Sequence, residues 1–209
     1  MARMALSAQQ LFGVAFVREG AAEPLIVPDV TTLRFRDLAA LVRPAPYARL
    51  ACAEDALALY RRVVDAAFLH GAVLPAPCGT VFRSADQVRL WMEQNYIALH
   101  EGINFVSGRC ETRVHAGVSP LAAADAKPPE LAAAAAESFR ILRRHAVAAL
   151  PVRRDEGAEV LSAAFLIEQD GWADFAEQVR EEGARHPALR LEQTGPWPPY
   201  DFVRVDFGV

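Results

Sequence analysis

Cys78 is the residue in this sequence whose surroundings most favour nucleophilic chemistry. It lies in the segment Pro77-Cys78-Gly79-Thr80, shortly before a predicted helix, and the N-terminus of a helix lowers the pKa of a nearby thiol. His70 is close in the sequence, but a cysteine enzyme also needs the histidine within hydrogen-bond reach and a third group that orients it. Two interpretations therefore stay open: a thiolate nucleophile, or a small buried cysteine in an extended segment.

Other residue types that support catalysis or metal binding are scattered. His100 and Glu101 are adjacent, so on a helix their side chains diverge by about 100°. Most acidic residues stand beside arginines, as they do on solvated surfaces. Glycine-rich phosphate loops and the HExxH and GxSxG motifs do not occur in the sequence. We therefore predict no catalytic, cofactor-binding or metal-binding residues.

Cysteine usage and charge indicate the compartment and exclude several partners. The three cysteines are far apart and form no CxxC pair. An odd number of cysteines without a signal peptide indicates a reducing cytosol. No apolar run approaches the roughly 18 residues that a membrane span needs, and the net charge of −4 argues against a nucleic-acid binder. The sequence thus predicts a cytoplasmic protein that binds neither nucleic acid nor membrane.

Periodicity in the first half predicts mixed strands and helices. The continuous apolar run Leu11–Val17 is typical of a buried strand. Apolar residues recur at helical spacing over Glu54–Leu69. Ser84, with Gln87 three residues later, predicts the N-cap of a helix over Ala85–Leu99. The apolar segment Ile103–Val106 is interpreted as a short strand.

The second half predicts helices packed on one sheet. Cys110–Val118 alternates as a strand does, and the proline-rich segment Ser119–Pro129 is the best linker in the chain. Beyond it the pattern is α-β-α-β-β, ending with a predicted strand over Tyr200–Phe207. A length of 209 residues fits one large or two small domains. We predict an α+β protein with two small mixed domains, residues 1–119 and 130–209.

The segment Gly195-Pro196-Trp197-Pro198-Pro199-Tyr200 is the least ordinary part of the sequence. Its three prolines and one glycine restrict the backbone of a turn and lower the entropy of the unfolded chain. Trp197 and Tyr200 would anchor that turn. Two interpretations remain: a rigid structural turn, or a preformed aromatic edge for a partner.

This closing segment, read through Val203, resembles the closing motif of the gas vesicle protein F/L family. Val73–Phe82 (VLPAPCGTVF) resembles the first-domain motif of the family, in which Leu-Pro and two variable positions precede Phe-Gly-Thr-Val-Phe. The opening Leu11–Val14 and the segments Ala164–Glu168 and Trp172–Phe175 are also similar to family elements. The resemblance covers nearly the whole chain. Family members typically carry Arg-Phe where this chain has Pro77-Cys78.

The resemblance implies a non-enzymatic protein of gas vesicle formation with two domains, the second of them ferredoxin-like. It implies an assembly factor or minor structural protein at the gas vesicle, in the cytoplasm. The implied partners are the small hydrophobic shell protein and other gas vesicle accessory proteins. The family-motif residues that are possible partner contacts are Gly195, Pro196, Trp197, Pro198, Pro199, Tyr200, Phe202 and Phe82. The motif residues with an implied structural role are Pro75, Gly79 and Thr80.

Two alternative functions are kept beside this one. The first is a cysteine-dependent enzyme, which requires a histidine within about 3.5 Å of the Cys78 sulfur and an open cleft. The second is a small-molecule sensor built on the ferredoxin-like domain, which requires a closed, partly apolar pocket with convergent polar groups.

Overall fold

The computed structural model describes residues 8–17, 27–48, 50–120, 127–152, 159–203 and 205–207. The contacts divide the chain into two compact units, one built from the residues up to Gly108 with those from Pro198 onward, and one from Arg109–Trp197. Each unit contains an antiparallel sheet and helices, which confirms the prediction of an α+β protein. None of the described helices combines the length and the apolar character that crossing a membrane requires.

The first unit is built on an antiparallel sheet with the strand order β2-β3-β1-β4, in which β5 also pairs with β1. Its elements in chain order are β1 (Ala8–Phe16), β2 (Thr31–Phe35), β3 (Leu38–Ala45), α1 (Glu54–His70), β4 (Val73–Pro75), β5 (Val81–Phe82), α2 (Ala85–Gln94) and α3 (Tyr96–Val106).

Strand β1 is buried on both faces, which confirms the interpretation of the apolar run. Leu11, Phe12 and Val14 are fully buried. The helices α2 and α3 share one apolar cluster with Leu11 and Val14, whereas α1 shares another with Phe12. The sheet of the first unit is therefore the middle layer between helices. A strand covered on both faces needs apolar residues at successive positions, as this segment has.

The helical region after Ser84 differs in part from its prediction. The Ser84 hydroxyl accepts a hydrogen bond from the Gln87 amide at 3.2 Å, so the predicted cap is confirmed. The single predicted helix is broken at Asn95 into α2 and α3, and Asn95 Nδ2 donates to the Trp91 carbonyl at 2.9 Å. The predicted strand Ile103–Val106 is wrong, because Leu99, Ile103 and Val106 form the buried face of α3.

The last described residues complete the core of the first unit. Trp91 Nε1 donates to the carbonyl of Asp206 at 2.9 Å, and the Trp91 ring stacks on Phe207 at a centroid distance of 5.3 Å. The predicted strand over Tyr200–Phe207 is wrong, since Tyr200–Phe202 is a 3₁₀ turn and residues 205–207 have no regular structure.

The second unit has the topology of a ferredoxin-like fold. Its elements are β6 (Arg109–Val118), α4 (Pro128–Leu142), a 3₁₀ turn (Arg143–His145), β7 (Ala148–Pro151), β8 (Glu159–Glu168), α5 (Trp172–Arg185) and β9 (Leu189–Trp197). This is a β-α-β-β-α-β sequence, and the strand order is β7-β8-β6-β9. The predicted ferredoxin-like character of the C-terminal region is therefore confirmed.

An aromatic cluster joins the two helices of the second unit to its sheet. The ring of Phe165 in β8 lies 5.9 Å from that of Phe139 in α4 and 5.3 Å from that of Phe175 in α5. Phe165 stands opposite Thr112 in β6, so the alternate residues Cys110, Thr112, Val114 and Ala116 face the helices.

The structural division of the chain differs at both ends from the predicted domains 1–119 and 130–209. Strand β6 pairs with β8 and β9, so the second unit begins at Arg109, before the proline-rich segment. The segment from Pro198 onward belongs to the first unit. Sheet pairing, which joins distant segments, sets these boundaries, whereas linker composition does not.

Two isoleucines of α3 test this packing. Ile103 is fully buried and Ile97 is 71% exposed. We expect Ile103→Ala to lower the free energy of unfolding by about 2–5 kcal/mol, because it removes packed methyl groups and leaves a cavity. Ile97→Ala should change it by less than about 0.5 kcal/mol. Urea denaturation followed by circular dichroism measures both; equal losses would contradict the helical assignment of this segment.

Candidate functional site

Cys78 forms a disulfide with Cys52, with 6.1 Å between their Cα atoms. A bonded sulfur supplies no thiolate, so the interpretation of Cys78 as an enzyme nucleophile is wrong for this structure. His70 Nδ1 lies 2.8 Å from the Ala66 carbonyl oxygen of its own helix. The odd cysteine count, which indicated a reducing cytosol, is made up of one bonded pair and the free thiol of Cys110. The sequence did not reveal the pair because only the fold brings these two cysteines together.

Cys110 is buried in the second unit, 1% exposed. Burial raises the pKa of its thiol to about 11, and the nearby Glu168 carboxylate contributes in the same direction. The protonated thiol is a poor nucleophile, so this cysteine behaves as a small core residue.

The low reactivity of the buried Cys110 thiol can be measured by alkylation. With a pKa of about 11, Cys110 has roughly a hundredth of the thiolate of an ordinary cysteine at pH 8. We therefore expect iodoacetamide to label it at least about a hundredfold more slowly in the folded than in the unfolded chain, as quantified by mass spectrometry. Comparable rates in the two states would contradict a buried, protonated thiol.

A polar network at the β2–β3 turn involves His100, which the sequence left as an isolated residue. Tyr96 Oη donates to Asp37 at 2.8 Å, and His100 Nε2 lies 3.4 Å from the same carboxylate. The amide of Asn104 lies 3.0 Å from His100 Nδ1. The Arg36 guanidinium covers the Tyr96 ring at 4.6 Å. Both ring nitrogens of His100 have partners, so the network fixes a turn whose Arg36 has a φ of +54°.

The four-residue spacing of Tyr96, His100 and Asn104 on one helix face was the signal for this network. Its partner Asp37 lies far away in the sequence and could not be identified from it. Among the residues that the structure describes, no group of three or more His, Cys, Asp or Glu side chains is arranged to hold a metal ion.

The first-domain motif shapes the loop between β4 and β5. Pro75 in β4 stands opposite Gly13 of β1. Thr80 is buried, its hydroxyl and amide both bond to the Pro77 carbonyl, and its own carbonyl accepts from the Leu11 amide at 2.9 Å. Gly79 has a φ of +84°, and the Leu50 carbonyl oxygen lies 2.5 Å from where its Cβ would be. A glycine is required there.

The closing motif begins as the end of β9, where the pairing with β6 is irregular. Gly195 has a φ of +122° and precedes a cis peptide bond to Pro196. A Cβ on Gly195 would lie 2.9 Å from the Glu111 carbonyl oxygen, 3.2 Å from the Trp172 ring and 3.3 Å from the Trp197 ring. Glycine at this position therefore allows two tryptophan rings to approach one backbone atom.

Trp197 is the most exposed aromatic residue of the closing motif, with 42% of its surface exposed. Its Nε1 lies within 3.4 Å of the Thr194 hydroxyl, to which it donates. Pro196 beside it is also exposed, and Trp172 is half-buried. These three side chains form an apolar surface on the second unit, which we call the Trp197 surface.

The remaining motif residues belong to the first unit, where they pack. Pro198 and Pro199 are buried, and Phe202 is 7% exposed. Tyr200 is half-buried; its ring lies 6.1 Å from that of Tyr60, and its hydroxyl is 3.5 Å from Asp65. Desolvation by burial raises the pKa of Tyr200, and the Asp65 carboxylate adds to this effect.

Phe82 is half-buried in β5, with its ring 5.5 Å from that of Trp91. Among the candidate contact residues, Phe82, Tyr200 and Phe202 therefore pack within the first unit. Their contact with a partner stays a prediction.

Gly195→Ala tests the close approach of the two tryptophans. We expect it to destabilise the second unit by about 1–3 kcal/mol, because a side chain is strained at this φ and meets the Glu111 carbonyl. Gly183→Ala in α5, where a Cβ would meet nothing within 4 Å, should stabilise it by about 0.5–1 kcal/mol. Thermal unfolding of the two variants compares them, and a neutral Gly195→Ala would refute the constraint.

Comparison with known proteins places this fold. The family model described as gas vesicle synthesis protein GvpL/GvpF matches residues 23–138 and 121–204. The chain belongs to this family. The match begins after β1, covers the other strands of both sheets and includes the closing motif as far as residue 204, which confirms the resemblance drawn from the sequence.

Individual relatives of the gas vesicle family agree with this membership. Gas vesicle protein F2 of Halobacterium salinarum is 26% identical over 180 residues, which are 85% of this chain and 81% of that protein. Gas vesicle protein L of a Streptomyces species is 43% identical over 49 residues, 23% of this chain and 18% of that protein.

Solved structures of the family share the fold. The crystal structure of GvpF from Anabaena has a TM-score of 0.75 at 16% identity, covering 96% of this chain and 99% of the other. That of GvpF from Microcystis aeruginosa has a TM-score of 0.73 at 13% identity, covering 95% and 100%. At these identities the structures show a shared fold, and the membership of the chain in the family rests on the family model.

Proposed function

We propose that this protein acts in gas vesicle assembly, or as a minor structural part of the vesicle, by binding the small hydrophobic shell protein and gas vesicle accessory proteins in the cytoplasm. It does so without catalysing a reaction. The observation that carries the proposal is the exposure of Trp197. In this member of a gas vesicle family, Trp197 is 42% exposed at the end of β9.

The Trp197 surface suits an apolar partner. Tryptophan is the residue type most enriched among those that dominate binding energy at interfaces. Covering the exposed part of Trp197 together with Pro196 and Trp172 removes apolar surface from water, at about 25 cal/mol per Å². A shell subunit with apolar helices would supply the complementary surface before it joins the growing wall.

The backbone that carries Trp197 is held in place before any partner binds. Thr112 Oγ1 donates to the Thr194 carbonyl at 3.0 Å, and Gln193 Nε2 donates to the same hydroxyl at 3.1 Å. In β6, Glu111 stands opposite Trp197, and Arg113 donates to the fully buried Glu111 carboxylate at 2.8 Å. A surface that is already ordered loses less conformational entropy on binding.

The state of the cysteines supports a non-catalytic role. Cys78 is bonded to Cys52, and Cys110 is buried as a protonated thiol. In addition, the polar network around His100 uses both nitrogens of the ring. These groups contribute to the packing and hydrogen bonding of the chain, and a binding function needs no catalytic role from them.

Co-purification tests the proposal. With the affinity-tagged chain co-expressed with the shell protein, we expect Trp197→Ala to reduce the shell protein recovered by roughly 30-fold, as for a residue whose removal costs about 2 kcal/mol of binding. The thermal unfolding midpoint of the variant should stay close to that of the unaltered chain, because the side chain is only partly packed.

Val147→Ala is the matched control, since Val147 in the same unit is 43% exposed and lies outside the Trp197 surface. It should recover the shell protein to within about twofold. Equal recovery by a folded Trp197→Ala variant and the unaltered chain would show that this surface is not the contact.

A further inference from the structure

The segment before α1 lies along the loop that contains the first-domain motif. Residues 46–48 and 50–53, which we call the strap, run antiparallel to residues 78–83. Cys52 is bonded to Cys78, and the Leu50 carbonyl lies against Gly79. The Arg83 guanidinium stands 5.1 Å from the centre of the Tyr47 ring. The strap thus follows the edge of the first unit next to β5.

The contacts of the strap differ in strength. The Tyr47–Arg83 contact is at the surface, where Tyr47 is 60% exposed, and water weakens such cation–π contacts. Helix α1 begins directly after the strap at Glu54, and its N-cap residue Ala53 makes no side-chain cap hydrogen bond. Of the three contacts named here, the covalent bond between Cys52 and Cys78 is the strongest.

This disulfide is open to solvent from one side. Cys52 is exposed, whereas Cys78 is half-buried and packs against the α1 side of the core. Because Cys52 lies on the exposed side of this bond and outside the sheet, we expect a reductant to attack its sulfur while the sheet stays folded. Exchange rates of disulfides depend on such access.

We propose that Cys52–Cys78 is a thiol–disulfide exchange site whose co-reactant is a dithiol, and that its reduction releases the strap while the sheet stays folded. This proposal is independent of the binding role of Trp197, because the two features belong to different units.

The exchange proceeds through a mixed disulfide between the dithiol and Cys52. A thiolate of the dithiol attacks the Cys52 sulfur, the bond between the two cysteines breaks, and Cys78 leaves as a thiolate that takes up a proton. The second thiol of the dithiol then displaces Cys52 from the mixed disulfide. Two electrons and two protons pass to the protein, which gains two thiols, and the dithiol becomes a disulfide.

Hydrogen bonds attach the loop between β4 and β5 to β1 and to α1. The Leu11 amide bonds to the Thr80 carbonyl, and the Ala76 amide to the Phe12 carbonyl, both at 2.9 Å. Tyr60 Oη donates to the Ala76 carbonyl at 2.7 Å. These bonds do not involve the strap, so β1, β4 and α1 stay joined after reduction.

Proteolysis in redox buffers tests the proposal on the full chain. In native buffer, we expect dithiothreitol to speed chymotryptic cleavage after Tyr47 by roughly tenfold or more, since an opened segment is cut in proportion to its population. Alkylation before and after should show that Cys52 and Cys78 become labelled while Cys110 stays unlabelled. Circular dichroism should stay nearly unchanged.

Variants distinguish release of the strap from a general loss of stability. The double variant Cys52→Ser with Cys78→Ser should be cut at the fast rate with and without dithiothreitol, and Cys110→Ala should respond as the unaltered chain does. Two results would each overturn the proposal: reduction that occurs only in denaturant, or reduction of both cysteines that leaves the cleavage rate after Tyr47 unchanged.

Discussion

The backbone N–H and C=O groups of the two central strands, β1 and β6, need hydrogen-bond partners on both edges, and the rest of the structure depends on supplying them. In β1 the peptide groups bond to β3 on one side and to β4 and β5 on the other, and in β6 they bond to β8 and β9. Buried peptide groups without partners would each cost a substantial free energy. Each strand therefore needs neighbours on both edges, and these neighbours come from distant parts of the chain. The positions of the helices follow, because they cover the sheets so formed.

Local patterns predicted the features that local physics controls. The apolar run at Leu11 gave a buried strand, and Ser84 caps its helix. The break at Asn95 was missed, because a continuous apolar face does not reveal that one helix ends and another begins. The Cys52–Cys78 bond was missed for a different reason: 26 residues separate the two cysteines, and only the path of β4 and α1 brings them together.

The candidate site could be located from sequence in part. The closing motif was identified, together with the glycine and prolines that shape it. The sequence did not reveal which of its aromatic side chains face water, because that depends on the ends of two units: Trp197 closes a strand of one, while Phe202 is buried in the other. Two residues of a single short motif thus perform different physical tasks, surface display and core packing.

The return of the chain to the first unit after Trp197 has a consequence for biosynthesis. Trp91 completes its packing only when Asp206 and Phe207 are present. The whole second unit is translated after Trp91 and before these two residues. On the ribosome the second unit can therefore close while the first still lacks part of its core. The order in which the two units can complete their cores is thus the reverse of the order in which their chains begin, and the first unit lacks part of its core until residues 206 and 207 have been translated.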